Sequence, residues 1–529
     1  MKKMTNAEHS LKRITSMRHM IVLEGLLVGV FAGAVSVFYR FILARAEDWN
    51  GSVLAWVGKS PSRLLIWLAI LAGLSVIGAK ILQWEPMCSG SGIPQVEVEI
   101  QNSLKSNCVK IILGKLLGGF LCIFGGLALG REGPSVQLGA MTGKSISRLF
   151  KRIKVEERFL LTCGASAGLS AAFNAPLAGA MFALEEIHKN FSPLVMMSAM
   201  AASAIADFLS RAVFGFDPIF DFGQLSYIRM RYYPLVVVLG ILTGVLGVVY
   251  NKCLLKSQDL YQKIPIKKSE YKVIIPFLLA GLLGVTTPAV LGGGHGMIRL
   301  ISAGHLTLRI VVFLLAVKFL FSMVSFGSGA PGGIFFPMLV LGAYIGGAFG
   351  LITAQIFGFD VSLVQDFVVL AMASYFTAIV RAPMTGIILI CEMTGSFTHI
   401  LALSLVSVTA YITADILKST PVYESLLWRL LRKAGKVKGE EKKGEKGEKI
   451  IVETPVEQGS FAEGKCIKDI PFPKDSLIIE IIRGEQELMP KGDTRLQPRD
   501  VLVIMYNEFD EVAAHDAITE LTSLQGRTP

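Results

Sequence analysis

The sequence predicts an all-α polytopic membrane protein made of two related halves with broken helices, followed by a small C-terminal α/β domain. Three observations carry this prediction. The 529-residue chain is 52% hydrophobic, and its apolar residues are gathered in long runs with few charges. Glycine-proline segments recur about 200 residues apart in the same order. The last 80 or so residues differ in composition from everything before them.

The apolar runs are candidates for membrane helices, because about 20 apolar residues are needed to cross the hydrocarbon core. Several runs are shorter or contain Gly and Pro, so hydropathy alone undercounts the helices. No small-residue cleavage site closes the first run and more runs follow, so we expect a first membrane helix there and not a signal peptide. The runs are 20–44, 64–82, 111–129, 235–250, 273–291, 310–324 and 367–390.

The placement of charge predicts the orientation. The net charge is +11, and basic residues cluster before residue 20, at 144–158 and at 252–272. Basic loops stay in the cytoplasm, so we expect the N- and C-termini on the cytoplasmic side of the cell (inner) membrane. Nucleic-acid binding, the alternative for basic patches, is disfavoured because these patches flank apolar runs. The seven scattered cysteines fit neither a disulfide framework nor a metal site.

An internal repeat relates the two halves of the membrane part. The matched segments keep their order and drift in offset only from 203 to 207 residues, which indicates two halves of about 200 residues each. Such a repeat is typical of transporters whose broken helices meet near the midplane. The alternative, two kinked spans without a ligand, does not require this density of glycine. The pairs are GREGP at 130–134 with GIFFP at 333–337, GSG at 90–92 with GHG at 294–296, APLAG at 175–179 with APMTG at 382–386, Lys115 with Lys318, and Glu185 with Glu392.

The glycine-proline loops have the chemistry of an anion site. In GSGIP at 90–94, glycines let backbone N–H groups converge, and Pro94 suits the first turn of a helix. A helix N-terminus carries a partial positive charge and unpaired N–H donors, and Ser91 adds a hydroxyl. Such a site, which has no full positive charge, holds a monovalent anion without trapping it. The loops at 130–134 and 333–337 would add two further helix starts.

Two carboxylates and one tyrosine are candidate transport residues. Glu132 lies in the GREGP loop, where a carboxylate competes with an anion and can bind a proton; an ion pair with Arg131 is the alternative. Glu185 and Glu186 end an apolar run, and either one could receive protons from inside, unless both are an ordinary acidic pair. Tyr423 follows the last run, and its alternative role is that of an interfacial aromatic.

GSGIP, GREGP and GIFFP, in this order, resemble the three filter motifs of the CLC family of chloride channels and chloride/proton antiporters, over roughly residues 20–430. The resemblance implies two inverted repeats and a homodimer with an anion pathway in each subunit. It implies that the anion is bound by Ser91, Gly92, Ile334, Phe335 and Tyr423, with the backbone amides of Ile334 and Phe335 as donors.

The same resemblance assigns the proton residues. Glu132 matches the external gating glutamate, and Glu186 matches the inner proton glutamate that family channels commonly replace. A serine at position 91, where other members have proline, resembles members that prefer chloride to nitrate. Phe336 is bulkier than the alanine common in bacterial members, so we expect it to reshape the outer vestibule.

The tail separates into a linker and a domain. Residues 433–450 are mostly Lys, Glu and Gly, which is typical of a flexible linker. Residues 476–483 and 500–506 have strand patterns, and 508–521 has a helical one. Segment 464–508 resembles the TrkA-type C-terminal domain of potassium-transport regulators, which implies ligand-gated regulation or dimer contact; a plain solubilising tail is the alternative. We expect a transport domain at 1–432 and a regulatory domain at 451–529.

These observations together predict a chloride/proton antiporter. A passive voltage- or pH-gated chloride channel on the same fold and a non-transporting membrane sensor remain the alternatives. An enzyme is not expected, because the sequence has no nucleotide loop, metal cluster or nucleophile–base set, and no cofactor is expected. The expected partners are chloride, protons, the bilayer and a second copy of the chain, with a small ligand on the tail as a further candidate, but no nucleic acid.

Overall fold

The computed structural model describes residues 6–100, 106–152, 154–189, 192–223, 227–266, 268–304, 306–358, 363–433, 449–473, 476–483, 486–507, 517–518 and 520–522. The chain divides into two compact units, Met1–Val437 and Lys438–Pro529.

The described part of the first unit is helical. Its helices are α1 (Asn6–Val57), α2 (Pro61–Trp84), α3 (Ile93–Ile100), α4 (Cys108–Phe124), α5 (Glu132–Leu149), α6 (Lys154–Phe173), α7 (Pro176–Phe182), α8 (Pro193–Phe214), α9 (Tyr233–Lys263), α10 (Ile274–Thr286), α11 (His295–Ser302), α12 (Leu308–Gly327), α13 (Phe335–Phe357), α14 (Leu363–Val380), α15 (Pro383–Thr394), α16 (Ile400–Ile416) and α17 (Val422–Lys433).

The first unit has the surface of a membrane protein. Eight helical segments among the described residues are long and apolar enough to cross a bilayer. Large apolar side chains such as Leu65, Phe31 and Leu320 are exposed on them, where lipid and not water would cover them. Helices α13 and α14, in contrast, are mostly buried inside the unit. The prediction of a polytopic, all-α membrane part is therefore confirmed.

One predicted run is two helices in the structure. Within 367–390, α14 ends at Val380 and α15 begins at Pro383, with Arg381 at φ 74° between them. The break follows from Pro383, which lacks an N–H group and disfavours helical geometry in the residue before it. The corresponding break in the first half lies between α6 and α7, where Asn174 has φ 50° before Pro176.

The two halves are related by a two-fold axis. Gly130 donates a hydrogen bond to the carbonyl of Gly333, and Gly333 donates one to Gly130, both at 2.7 Å, in an antiparallel bridge. These two residues occupy equivalent places in the repeat. Equivalent residues that exchange identical hydrogen bonds in an antiparallel pair lie across a local two-fold axis, so this axis relates the two glycine-proline loops.

The backbone corrects the sequence alignment of one repeat pair. The left-handed glycines Gly90 (φ 62°) and Gly92 (φ 98°) correspond to Gly292 (φ 58°) and Gly294 (φ 110°). The offset is thus 202, and the predicted pairing of GSG at 90–92 with GHG at 294–296 is wrong. A run of glycines allows two registers in the sequence, and only the backbone angles distinguish them.

Hydrogen bonds support the corrected register. Gly90 N donates to Gly329 O at 3.3 Å, and Gly292 N donates to Gly126 O at 3.2 Å in the other half. With an offset of 202, the first residue of α3 corresponds to the first residue of α11. His295 therefore occupies a helix start.

The second unit contains a four-stranded antiparallel sheet of order β1-β4-β2-β3, formed by β1 (Lys449–Pro455), β2 (Leu477–Arg483), β3 (Gln486–Leu488) and β4 (Val501–Asn507). Ile481, Leu502 and Ile504 are buried in its core. Asp500 accepts two hydrogen bonds from Arg483, and this raises the pKa of the guanidinium above its usual value.

Both strands expected in the tail are present as β2 and β4, but β1 was missed. Its first residues, 449–450, belong to the predicted linker. The flanking lysines hide the strand pattern there, and the pairing with β4 is a tertiary feature that the sequence does not show. Lys433 likewise ends α17. The rest of the predicted linker, 434–448, and residues 508–516 of the predicted helix lie outside the described residues.

Candidate anion and proton site

Three helices begin in the glycine-proline loops, as predicted. They are α3 at Ile93, α5 at Glu132 and α13 at Phe335. The first intrahelical bonds of α5 and α13 are donated by Ser135 and Met338, so the amides before them have no partner within their helix. The Gly130–Gly333 bridge lies two residues before both of these helices, and it places the two starts side by side.

Ser91 and Gly92 pack directly against the start of α5. Ser91 is buried, and its Oγ accepts a hydrogen bond from Ile93 N at 3.3 Å. A Cβ atom on Gly133 would lie 2.8 Å from both Ser91 O and Ser91 Oγ, and one on Gly92 would lie 2.6 Å from Gln137 Oε1. Only glycine permits this approach, so the first filter loop and the α5 start form one unit.

Ile334 and Phe335 are buried at the start of α13. The ring of Phe335 packs among Phe173, Phe182 and Phe376, with centroid distances of 5.2, 5.9 and 4.8 Å. This aromatic packing fixes the orientation of the first turn, including its free amides.

Tyr423 is fully buried, and its Oη has no hydrogen-bond partner among the described residues. It therefore does not have the exposed position of an interfacial aromatic. Buried polar groups are usually hydrogen-bonded, so this hydroxyl is a donor available to an anion. The carboxylates of Glu132 and Glu186 both act electrostatically on Tyr423.

Glu132 is the first residue of α5 and is 0% exposed. Neither carboxylate oxygen has a hydrogen-bond partner among the described residues. Arg131 Nε lies 3.9 Å from Oε1, beyond hydrogen-bond distance. An ion pair with Arg131, the alternative drawn from the sequence, is thus present, but as a long contact without a hydrogen bond. A buried carboxylate whose only ion pair among the described residues is this long contact is costly, which favours a functional role.

The structure separates the roles of Glu185 and Glu186. Glu185 accepts hydrogen bonds from Met384 N at 3.2 Å and Thr385 N at 2.8 Å, and so caps α15. In the other half, Glu392 caps α7 through the amides of residues 177 and 178. Glu185 is therefore structural, and its match with Glu392 reflects reciprocal capping of two helices.

Glu186 lies in a π-helical turn, Ala183–His188, and is buried. It interacts electrostatically with Glu97 of α3, whose two carboxylate oxygens are also buried without a partner among the described residues. Glu97 is not among the site residues predicted from the sequence. One sequence feature points to it: Glu97 is a carboxylate one turn after the start of α3, the short helix that follows the first filter loop.

Two buried lysines, also missed as site residues, support the loops. Lys115 Nζ donates to Cys88 O at 3.0 Å and to Gly90 O at 2.7 Å. Lys318, its equivalent, donates to Val290 O and Gly292 O at 2.9 and 2.8 Å. Each ammonium group binds two carbonyl oxygens of a loop. The negative ends of these carbonyl dipoles therefore point toward the lysine.

The similar proteins are transporters. The chain is 34% identical over 425 residues to the H(+)/Cl(-) exchange transporter ClcA of Salmonella typhimurium, covering 78% of this chain and 89% of the relative. It is 36% identical over 419 residues to the ClcA of Vibrio vulnificus, covering 77% and 89%. The structure matches that of a slow cyanobacterial Cl-/H+ antiporter with a TM-score of 0.75 and 27% identity, over 78% of this chain and 99% of that one. A CLC-type fluoride/proton antiporter shares the fold, with a TM-score of 0.63 and 23% identity over 80% and 98%.

Two family models match this chain. The TrkA-C domain model matches residues 451–510, and the voltage gated chloride channel model matches residues 73–415. Given that match and the identities above, the chain belongs to the voltage-gated chloride channel (CLC) family and carries a TrkA-C domain at its C-terminal end.

Proposed function

We propose that this protein is a chloride/proton antiporter, which moves chloride across the membrane in exchange for protons. The observation that carries the proposal is a pair of buried carboxylates, Glu132 and Glu186, that both lie within electrostatic range of the unpartnered hydroxyl of Tyr423. A passive anion pathway does not require the second carboxylate, Glu186, because no proton is carried through it. The relatives named as exchange transporters support the same function.

In this proposal, chloride is bound by the hydroxyls of Ser91 and Tyr423 and by backbone amides of Gly92, Ile334 and Phe335. All of these donors are neutral, so the anion is held by several weak contacts that it can leave. The partial positive charge of the helix starts adds attraction without a fixed cation.

Glu132 serves as the external gate and proton acceptor. Its carboxylate sits at a helix start, where it competes with chloride for the same amide donors, and protonation removes that competition. Glu186 serves as the internal proton acceptor, with Glu97 beside it. Lys189 lies three residues after Glu186 on the chain, which supports a cytoplasmic location for this end.

The proposal includes the assembly and orientation. All proposed anion and proton residues come from one chain, so each subunit of a homodimer would contain a complete pathway; light scattering of the protein in detergent checks the dimer. The basic segment 144–158 supports cytoplasmic termini in the cell (inner) membrane.

One assay tests the function. The purified protein is placed in liposomes with a chloride gradient, and chloride and internal pH are followed together. We expect chloride efflux to drive proton uptake into the liposomes when no pH gradient is present at the start. Chloride flux without any proton movement would identify a channel, and flux of chloride in either form would exclude a non-transporting sensor.

We assign transport to residues 1–432 and regulation to the TrkA-C domain. A chain that ends at Val437, the last residue of the first compact unit, should fold and exchange chloride for protons, because all proposed site residues precede this point. Its turnover should change, and it should not respond to small ligands or nucleotides that alter the full-length rate. Flux of both forms across such ligands is the measurement, and loss of chloride selectivity on truncation would contradict the assignment.

A further inference from the structure

A second titratable pair, here called the outer pair, lies beside the site. Glu47 is near the end of α1, and His295 is the first residue of α11. Glu47 Oε1 lies 3.8 Å from His295 Nδ1, and the two side chains are 37% and 26% exposed. Both ring nitrogens are buried and lack a hydrogen-bond partner among the described residues. The outer pair is thus reachable from water at its edge, while its nitrogens point inward.

Phe336 separates the outer pair from Glu132. The His295 ring stacks on Phe336, with centroids 4.2 Å apart and planes at 21°. Phe336 is buried and also packs on Phe220 at 5.7 Å. A Cβ atom on Gly130 would lie 3.3 Å from Phe336 Cβ and would also meet Glu132 Oε2. Phe336 therefore covers the carboxylate, which has no exposed surface of its own.

Charged groups from several elements face this region. Those that act on His295 are the cations of Arg40, Arg131, Arg299 and Lys318, together with the carboxylate of Glu47. Asp48 also acts on Glu47. Glu132 interacts electrostatically with Arg131 and with Glu47. The two carboxylates are thus within mutual electrostatic range.

A proton that moves to Glu132 must reach a carboxylate that is not in contact with solvent. We infer that Glu47 and His295 form the proton relay between solvent and Glu132 on this side of the protein. The inference rests on the proposed antiport function. Among the titratable groups that interact with Glu132, Glu47 is a carboxylate with an exposed edge, and His295 lies between that edge and Phe336.

The relay conserves protons. The Glu47 carboxylate takes a proton from water and passes it to one nitrogen of the imidazole. The other nitrogen releases its own proton toward Glu132 through intervening water, since no hydrogen bond joins the two side chains. Glu132 becomes neutral, Glu47 is again an anion, and a flip of the imidazole ring restores the starting tautomer. An imidazole can do this because one nitrogen accepts while the other donates. The reverse sequence returns the proton to solvent.

The test uses Glu47→Gln and His295→Gln in the full chain, with Asp48→Asn as the matched control. Asp48 is the neighbouring carboxylate on the same helix, and it is exposed. In liposomes, each of the two relay variants should slow chloride-driven proton movement by about tenfold. This is less than the full loss of a general acid, because protons can still reach Glu132 more slowly through water alone. Since coupling itself is intact, the ratio of chloride to protons should not change. Asp48→Asn should retain the wild-type rate.

A second background separates proton delivery from anion electrostatics. With Glu132→Gln, chloride flux no longer waits for protons, so adding Glu47→Gln should leave that flux unchanged. The relay would be overturned if Glu47→Gln lowered chloride flux in the Glu132→Gln background as much as it does when it is the only substitution. Wild-type proton rates in either relay variant that folds, as judged by its elution in detergent, would also overturn it.

The outcomes also distinguish this inference from the proposed function. If the wild-type protein moves chloride but no protons, the antiport function fails and the relay with it. If the wild type exchanges both ions and Glu47→Gln does so at the same rate across external pH, only the relay fails. Because Glu47 has an exposed side chain and no described hydrogen bond, its substitution should not impair folding.

Discussion

Chloride-driven proton uptake should disappear in Glu132→Gln, while chloride flux persists. Glutamine has the shape of glutamate but cannot carry a proton, so the step that links the two ions is lost. The buried carboxylate lacks a hydrogen bond of normal geometry to a described residue and has only a 3.9 Å contact to Arg131, so the fold should tolerate the substitution. We expect proton uptake to fall by about 100-fold or more, the range of a lost acid–base group.

The measurement follows internal pH and chloride in the same liposomes. Asp48→Asn, which removes a carboxylate from an exposed surface, is the control and should behave as wild type. Unaltered proton uptake in Glu132→Gln would contradict the assignment of Glu132 as the gate. Loss of chloride flux as well would mean that the carboxylate is needed to keep the anion pathway intact.

Glu186→Gln should also lose proton uptake by about 100-fold, with chloride flux retained. Glu186 interacts with Glu97 in a buried acidic cluster and accepts no capping hydrogen bond from a described residue, so under the proposed function its loss should interrupt proton entry from the inner side. Its neighbour Glu185 gives an unusually close comparison, because the two are adjacent, acidic and removed by the same substitution.

Glu185→Gln should instead retain coupling and lose stability. Glu185 caps the start of α15 through two backbone amides and the hydroxyl of Thr385, and a lost N-cap costs about 0.5–2 kcal/mol. The melting temperature in detergent should fall, while the ion ratio stays at the wild-type value. If Glu185→Gln uncouples the ions and Glu186→Gln does not, the two roles are exchanged.

The sequence determined the parts of this protein that depend on local chemistry. Glycine before proline specifies a loop followed by a helix start, so α3, α5 and α13 begin where the motifs predict. Repetition of these motifs revealed two halves, because equivalent backbone turns need equivalent residues. The same reasoning located Ser91 and Glu132, which lie inside the motifs themselves.

The tertiary structure decided which groups meet. The repeat showed Glu185 with Glu392, but only the fold revealed that each caps a helix of the opposite half. That leaves Glu186, one residue further along, facing Glu97 of another helix. Successive side chains on any helical turn point in different directions, so two adjacent and identical side chains reach different surroundings.

The same limit applies to the outer pair. Glu47 and His295 lie 248 positions apart (47 to 295), and no local pattern connects them. They come together because the start of α11 packs beside the end of α1 in the fold. A motif specifies the backbone at its own position, whereas the partners of a side chain depend on how distant segments pack, and this is why the sequence located the filter loops but not the groups around them.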